Sequence, residues 1–375
     1  MLDLMQGESD PTRLVFPGAA PVRELAGFGA GAGGSKGRRR RRRRDPEELP
    51  PPADWDDVFQ RQEPVVIRQE YALARWPMPT PAELADSMRE VRVHVSAART
   101  VQMMSRVQPW GSLPELSWRR PWTERNVSAA ELFVDRANAS AEYLYFFSPV
   151  SQLPAPLRAA LSELRVLTTL FQPMVEANAW AGVPGVSSPL HYDAAHNTYL
   201  QLTGHKRFLL VPAAQAGALY PYPRLHPSTR QSMIDVRELP PHRFGRFHAA
   251  LHGRGGAARL RASEVVLGPG DTLYIPPYVW HRASVAGETS AFSVAVYSQS
   301  TPMDVYPHLK AHPLPVPRLA EAQGGGKGAI RAARALVKRA RARGREGEAF
   351  FLPGGKTRRK SSALRMSSHS SLLTR

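Results

Sequence analysis

The sequence contains no cysteine in 375 residues. This absence excludes disulfide bridges, thiolate zinc sites and cysteine nucleophiles, and it leaves histidine and carboxylate side chains as metal ligands. The chain also lacks an uninterrupted apolar run of the ~18 residues that a membrane-spanning helix needs. The N-terminus has no continuous apolar segment of the secretory type. We therefore expect no membrane association and a cytoplasmic or nuclear location.

Acidic side chains are in the minority, and the excess positive charge is concentrated at the ends of the chain. The formal net charge is +18, and residues 327–375 carry 14 basic and two acidic side chains. An uninterrupted arginine run spans Arg38–Arg44. Such segments are typical of solvated tails, nuclear-import signals or weak binding to anionic partners. Binding of nucleic acid through the tails therefore stays open, and a solvated tail explains the run equally well.

Changes in composition divide the chain into five segments. The ends, residues 1–54 and 353–375, are predicted to be disordered because they are rich in glycine, arginine, proline and serine. Residues 55–173 alternate between helix and strand patterns, and 174–301 consist of short strand patterns separated by glycine and proline turns. Residues 302–352 form a proline-rich connector and a basic helix. This order predicts a mainly β fold with flanking helices, closed as a sandwich, jelly roll or barrel.

Several local signals predict individual elements. Thr80 before Pro81 marks the start of a helix, and Ser128 followed by Glu131 forms a capping box before a second helix. The runs MVEANAWAG, SPLHYDA, NTYLQLTG and KRFLLVP, all between residues 174 and 212, alternate between polar and apolar side chains. This alternation predicts four consecutive strands.

The stretch SSPLHYDAAHNTYLQLTGHKRFLLVP places metal-binding groups on predicted sheet. His191 and Asp193 share a face there, because side chains two apart on a strand point the same way. A second stretch, GPGDTLYIPPYVWH, ends at His281. Non-haem iron(II) enzymes use two histidines and one carboxylate and leave the opposite face of the ion open. With 12 histidines in the chain, a salt bridge or side chains that never meet remain alternatives.

Lys206 adds a positive charge 15 residues after His191. Lysine presents a compact point charge, which suits the far carboxylate of a dicarboxylic co-substrate whose other end binds a metal. The alternative is an exposed strand lysine beside Arg207.

These stretches together resemble the JmjC family of iron(II)- and 2-oxoglutarate-dependent oxygenases. Within that family, the chain is most similar to the asparaginyl hydroxylase type represented by factor inhibiting HIF, mainly through LYPYP and RQS. The resemblance is dense from residue 174 to 297 and implies a double-stranded β-helix, the jelly roll of cupin and JmjC proteins. The shared motifs are HYD, the Asn197 and Lys206 that follow it, LYPYP, HPSTRQS and GPGDTLYIPPYVWH.

The resemblance also implies which residues bind the cofactors. Fe(2+) would be bound by His191, Asp193 and His281. The residues that would hold 2-oxoglutarate, with O2 as the second co-substrate, are Lys206, Tyr143, Ser188 and Asn197. The family usually has threonine at the position of Ser188, which keeps the hydroxyl group.

For the substrate, the resemblance implies contacts from Arg230 and Gln231 to a peptide backbone or a side-chain amide. One residue departs from the pattern of the asparaginyl hydroxylases, which place a second asparagine where this chain has Ala295. The main prediction is a protein hydroxylase of the asparaginyl type. Alternatives are a lysine or arginine demethylase of histones or other proteins, a tRNA-base hydroxylase, and a jelly-roll binding module without activity. The family further implies a homodimer formed through the C-terminal helix.

Overall fold

The structure is a computed structural model that describes residues 20–26, 63–68, 77–103, 120–135, 142–162, 174–222, 228–235, 244–255 and 259–298. The strands are Ala20–Pro21 (β1), Arg23–Ala26 (β2), Val65–Arg68 (β3), Glu90–Ser96 (β4), Thr123–Ser128 (β5), Tyr143–Pro149 (β6), Met174–Gly182 (β7), His191–Tyr192 (β8), His196–Thr203 (β9), His205–Val211 (β10), Ser263–Leu267 (β11), Thr272–Ile275 (β12), Trp280–Ala286 (β13) and Ala291–Ser298 (β14). The α-helices are Pro81–Met88 (α1), Ala129–Phe133 (α2), Ala155–Ser162 (α3) and Gly245–His252 (α4).

Two sheets form the body of the protein. One has the order β1-β11-β10-β13-β8, and the other has the order β2-β3-β12-β9-β14-β7-β6-β4-β5. Their inner faces share one apolar cluster, in which Phe208 and Val265 of the first sheet meet Tyr199 and Leu273 of the second. This architecture, with mostly antiparallel pairing, confirms the predicted jelly-roll fold.

The outer face of the larger sheet is covered by helices. Leu84 of α1, Leu132 of α2 and Leu157 of α3 belong to one buried cluster with Leu200 of β9 and Val294 of β14. Because successive side chains on a strand point to opposite faces, β9 and β14 are buried on both sides. The middle of the larger sheet is therefore a rigid support for side chains that point inward.

The predicted helix starts and most predicted strands are present. The hydroxyl of Thr80 accepts a hydrogen bond from the Glu83 amide, the Glu83 carboxylate accepts one from the Thr80 amide, and Pro81 is the first helical residue. The Ser128 hydroxyl accepts from the Glu131 amide at the start of α2. The strands predicted from MVEANAWAG, NTYLQLTG and KRFLLVP correspond to β7, β9 and β10. The SPLHYDA run forms a strand only at its two residues in β8.

One part of the predicted N-terminal disorder is wrong. Residues 20–26 form β1 and β2, which pair in parallel with β11 and β3 at the edges of the two sheets. Val22 between them is buried in the inner cluster with Val66 and Val265. The APVRELA run supplies one apolar anchor and an extended backbone, and the edge strands offer it free hydrogen-bonding groups.

Other terminal predictions fall outside the part of the chain that the structure describes. These concern the remainder of residues 1–54, the connector and basic helix of 302–352, and the tail of 353–375. Within the described parts of residues 55–173, β3 and β6 extend the sheet that contains β7, β9 and β14. Within the described residues, no helix is both long enough and apolar enough to span a membrane.

Gly204 makes the sharp connection from β9 in one sheet to β10 in the other. Its φ is +66°, and a Cβ atom placed there would lie 2.4 Å from the carbonyl oxygen of Ser290. We predict that Gly204→Ala lowers the free energy of unfolding by about 2 kcal/mol or more, since both backbone strain and a steric clash are introduced. Urea denaturation measures the change.

Gly287→Ala is the matched control for this substitution. Gly287 also has a positive φ, +77°, but a Cβ atom there would meet open space. It should therefore lose only about 1 kcal/mol, the cost of the backbone conformation alone. Equal losses in the two variants would show that the crossing at Gly204 is not tightly packed.

Candidate metal centre and co-substrate pocket

The three predicted metal ligands lie together at one end of the smaller sheet. β8 pairs with β13 so that His191 lies directly opposite His281, and their ring centroids are 4.2 Å apart. Asp193 follows β8, with its Oδ2 atom 3.6 Å from Nε2 of His281. One ligand atom from each residue lies within 4.8 Å of the other two. The fold thus brings together two imidazoles and one carboxylate that are up to 90 residues apart in the sequence.

Backbone contacts orient both histidine rings. Nδ1 of His191 lies 2.8 Å from the carbonyl oxygen of Pro189, and Nδ1 of His281 lies 3.1 Å from that of Val279. A carbonyl oxygen only accepts hydrogen bonds, so each Nδ1 carries the hydrogen and each Nε2 keeps its lone pair. Burial, with the neighbouring His191 as the next cause, lowers the pKa of His281 to about 4. The neutral ring is the form that binds a metal.

This donor set fits iron(II). It consists of two imidazole nitrogens and one carboxylate on the same side of a small space, the arrangement of non-haem iron oxygenases. A pocket with largely aromatic walls opens beside it. Polar side chains that reach the pocket are Ser188, Asn197 and Gln231, and its aromatic walls are Tyr145, Trp180, Tyr199, Phe208 and Tyr297.

Asn197 connects the metal ligands to the pocket. Its Nδ2 donates to Oδ2 of Asp193 over 3.2 Å, which also fixes the orientation of the amide, because a carboxylate can only accept. Its Oδ1 is buried and has no hydrogen-bond partner among the residues described. A buried acceptor left without a donor costs about 1–3 kcal/mol. Such a cost is understandable at a site where a bound ligand completes the hydrogen bonds.

Lys206 is a buried cation in the same region. It is 2% exposed, and its Nζ donates to the hydroxyl groups of Tyr199 and Ser293 over 2.7 Å each. Burial lowers the pKa of Lys206 from 10.5 to about 7, and no acidic neighbour contributes to the shift. An ammonium group buried beside two neutral hydroxyls is costly until an anion pairs with it. The predicted carboxylate-binding lysine therefore has a third donor available for a ligand.

Of the two residues predicted to bind 2-oxoglutarate through a hydroxyl group, Ser188 reaches the pocket and Tyr143 does not. Ser188 reaches the pocket, and its hydroxyl accepts from the Ala283 amide over 3.0 Å. Tyr143 lies outside the pocket wall, and its hydroxyl accepts from Nε of Arg99 over 2.7 Å. The tyrosine in the wall is Tyr145, two residues later on the same face of β6. The period of two places both tyrosines on one face, so the sequence pattern could not distinguish between them.

The two predicted substrate residues are placed differently. Gln231 forms an isolated bridge opposite His191 and reaches the pocket. Its Nε2 donates to the carbonyl oxygen of Met103, while its buried Oε1 has no partner within the described ranges. Arg230 has a φ of +68° and an exposed side chain, and it is not part of the pocket wall. The structure therefore brings Gln231, but not Arg230, to the candidate site.

Tyr199 and Ser293 are site residues that the sequence analysis missed. Their hydroxyl groups lie 2.6 Å apart, and both bond Lys206. The strand period could have placed Tyr199 on the face of Asn197. Ser293 could be found only from the pairing of β14 with β9 and β7.

Comparison with known proteins gives a family match over a part of the chain that includes the candidate site. The profile of the cupin-like domain family matches residues 51–299. Jumonji C domain-containing protein 5 of Drosophila melanogaster is 32% identical over 168 residues, which cover 43% of this chain and 38% of the relative. Lysine-specific demethylase 8 of Xenopus tropicalis is 26% identical over 229 residues, or 60% of this chain and 46% of the relative.

A third relative comes from another functional group. The tRNA wybutosine-synthesizing protein 5 of Gallus gallus is 23% identical over 270 residues, which cover 67% of this chain and 74% of the relative. The chain spans less than half the length of the Drosophila and Xenopus relatives. Similarity to the asparaginyl hydroxylase type in particular is not among these findings.

Proposed function

The chain belongs to the cupin-like domain family, and from this premise we propose that it is an iron(II)- and 2-oxoglutarate-dependent dioxygenase that hydroxylates a protein side chain. The observation that supports the proposal most strongly is the convergence of His191, Asp193 and His281 beside a pocket that ends near the buried Lys206. The donor set fits the metal, and the unpaired ammonium fits the far end of a dicarboxylate. Relatives with JmjC domains support the same class of reaction.

Iron(II), when bound with 2-oxoglutarate and O2, would supply the oxidising chemistry: one oxygen atom of O2 enters the C–H bond of the substrate, and the other enters the succinate formed as 2-oxoglutarate loses CO2. The residues of the chain would bind the metal and 2-oxoglutarate, orient the groups that contact them and shield the reacting atoms from water. The backbone contacts of His191 and His281 fix the direction of both ring lone pairs, and Asn197 holds Asp193. Lys206, with the hydroxyl of Tyr199, would set the position of the co-substrate by binding its far carboxylate. The aromatic pocket walls would keep bulk water from the reacting atoms.

The side chain of Gln231 supports a substrate that carries N–H donors. The Met103 carbonyl fixes the amide, so the atom left in the pocket region is Oε1, an acceptor. A substrate amide could donate to it, and asparaginyl hydroxylation is therefore the specific form of the proposal. Because Gln231 lies opposite His191, the group that it binds would be held next to the metal.

Demethylation of a methylated lysine is the second candidate, favoured by the relative named lysine-specific demethylase 8. The chemistry begins in the same way, because a hydroxylated N-methyl group loses formaldehyde. An N-methylated ammonium can also donate to Gln231. The tRNA-base reaction has support from the wybutosine-synthesizing relative, but the basic tails that would bind RNA lie outside the described residues.

The test of the proposal is substrate-dependent turnover. Protein loaded with iron(II) should convert 2-oxoglutarate to succinate when given peptides that contain asparagine. Mass spectrometry should then find one added oxygen on the peptide. Loss of a methyl group from a methyl-lysine peptide, with formaldehyde release, would favour the second candidate. An iron-loaded protein that neither binds nor consumes 2-oxoglutarate would rule out both candidates.

Binding of 2-oxoglutarate should weaken as pH rises above 7. Burial lowers the pKa of Lys206 to about 7, so the ammonium form dominates below that pH and the neutral amine above it. The dianion needs the ammonium, and each pH unit above 7 should weaken binding by up to about tenfold, with proton uptake. Tyr199, the titratable group that contacts Lys206, has its pKa raised well above 10 by burial and stays neutral throughout.

Calorimetry at about pH 6 and about pH 9, in two buffers with different ionisation heats, measures the affinity and the proton uptake. Lys206→Met should remove both pH effects. A wild-type affinity that is constant across this range would contradict the lowered pKa of Lys206, and an unchanged affinity in Lys206→Met as well would mean that Lys206 does not bind the carboxylate.

A further inference from the structure

Ala295, where the chain departs from the asparaginyl hydroxylase pattern, lies directly opposite Asn178. The register of β14 with β7 pairs the two residues, and directly opposed side chains share one face of the sheet with Cβ atoms about 5 Å apart. That face is the inner one. Ala295 is fully buried in the cluster that contains Tyr199, and Trp180 and Tyr297 pack against the same cluster. Asn178 therefore adjoins the side chains that form the pocket wall.

The row of residues that contains Asn178 lies between the metal ligands and Lys206. Across three strands, Tyr199, Ala295 and Asn178 are in register. Asn197, which contacts the proposed ligand Asp193, lies two residues from Tyr199 along β9, on one side of this row. Ser293, which contacts Lys206, lies two residues from Ala295 along β14, on the other side of the row. A co-substrate that reaches from the metal to Lys206 must pass over the row between them.

Asn178 also has an unused polar group. It is 4% exposed, and its Oδ1 is buried without a hydrogen-bond partner within the described ranges. Trp180, two residues further along the same face, lines the pocket and has a buried Nε1 that is likewise without a partner. Neighbouring unpaired buried groups are rare in folded proteins unless a ligand completes them.

We propose that Asn178 is a co-substrate-binding residue, whose amide reaches across the methyl group of Ala295 to an oxygen atom of 2-oxoglutarate. This inference rests on the proposed function. No described residue fixes which end of the Asn178 amide points inward, so a rotation about its last bond can present the NH2 group to a carboxylate or keto oxygen. A larger side chain at position 295 would fill the space that this contact needs. In this chain an amide thus lies on β7, at the position that faces Ala295 of β14.

Asn178→Leu is the principal test, because leucine has nearly the same shape and no polar atom. In protein loaded with manganese(II), the dissociation constant for 2-oxoglutarate should rise about tenfold or more, as for a lost hydrogen bond to a charged group. The melting temperature without ligand should be unchanged or higher, because an unpaired buried amide has been replaced by an apolar group. The double variant Asn178→Leu with Ala295→Asn returns an amide from the facing strand and should recover part of the affinity.

The outcomes separate this inference from the function on which it rests. A wild-type affinity retained by Asn178→Leu, with a melting temperature several degrees lower, would show that Asn178 is only structural and would leave the proposed function intact. If wild-type protein with manganese(II) does not bind 2-oxoglutarate, both proposals are overturned. Asn178→Ala carries the same prediction for affinity and serves if the leucine variant does not fold.

Discussion

His191→Ala is expected to abolish metal-dependent binding and turnover of 2-oxoglutarate while leaving the fold in place. His191 is one of three proposed ligands that lie within 4.8 Å of one another, and the remaining two would not hold the ion in a defined geometry. Loss of groups that merely orient metal ligands already costs about 10–100-fold in affinity or activity. Loss of a ligand should therefore cost well over ~100-fold. Manganese(II) titration followed by calorimetry measures the binding, and succinate formation with iron(II) measures the turnover.

His252→Ala is the control for this variant. It removes the same group from the exposed end of α4, away from the candidate site, and should leave binding and turnover unchanged. A metal that binds the native state raises its melting temperature, so manganese(II) should stabilise the wild type and His252→Ala but not His191→Ala. Full succinate formation by His191→Ala would contradict the assignment of the metal centre.

Lys206→Met should weaken 2-oxoglutarate binding strongly and stabilise the protein without ligand. Removing one partner of a buried ion pair costs about 2–5 kcal/mol or more, which corresponds to a dissociation constant at least ~30-fold higher. In the unliganded protein the same substitution removes a buried cation that has no acidic neighbour, so the melting temperature at neutral pH should rise. The hydroxyls of Tyr199 and Ser293 remain bonded to each other over 2.6 Å.

Arg207→Met tests whether any nearby positive charge would suffice. Arg207 is adjacent in sequence, but its guanidinium pairs with Glu264 over 2.9 Å on a partly exposed face. Its loss should leave the 2-oxoglutarate affinity unchanged. Equal affinities for Lys206→Met and the wild type would show that the buried ammonium is not the carboxylate anchor.

Part of the clustering of His191, Asp193 and His281 could be predicted from the period of a strand, which is short and strict. His191 and Asp193 are two residues apart, so the sequence pattern predicted a shared face on one strand. In the structure Asp193 follows β8 instead, and its Oδ2 lies 3.6 Å from Nε2 of His281. His281 lies 88 residues after Asp193. It was predicted from the chemical requirement for a second histidine, from the stretch GPGDTLYIPPYVWH and from the resemblance to the JmjC family. The structure explains the link by the direct pairing of His191 with His281 across β8 and β13.

The contacts of the pocket could not be predicted, because they depend on register between distant strands. Tyr143 and Tyr145 share a face of β6, and only the pairing of β6 with β7, which places Tyr145 opposite Gly182, brings the second of them to the wall. The pairing of Ala295 with Asn178 is of the same kind. For residues 20–26 the composition led to a wrong prediction of disorder. These seven residues lie beside a glycine-rich segment, but their strands pair with the edge strands of the two sheets.

The most direct test of the central claim is a crystal structure of the protein with manganese(II) and 2-oxoglutarate, with the metal located by anomalous scattering. We expect one strong metal peak bonded to Nε2 of His191, a carboxylate oxygen of Asp193 and Nε2 of His281, and a dicarboxylate whose far end accepts a hydrogen bond from Nζ of Lys206. A metal bound elsewhere would contradict the proposed metal centre. The same holds if no metal lies at these three side chains and 2-oxoglutarate is absent from the pocket.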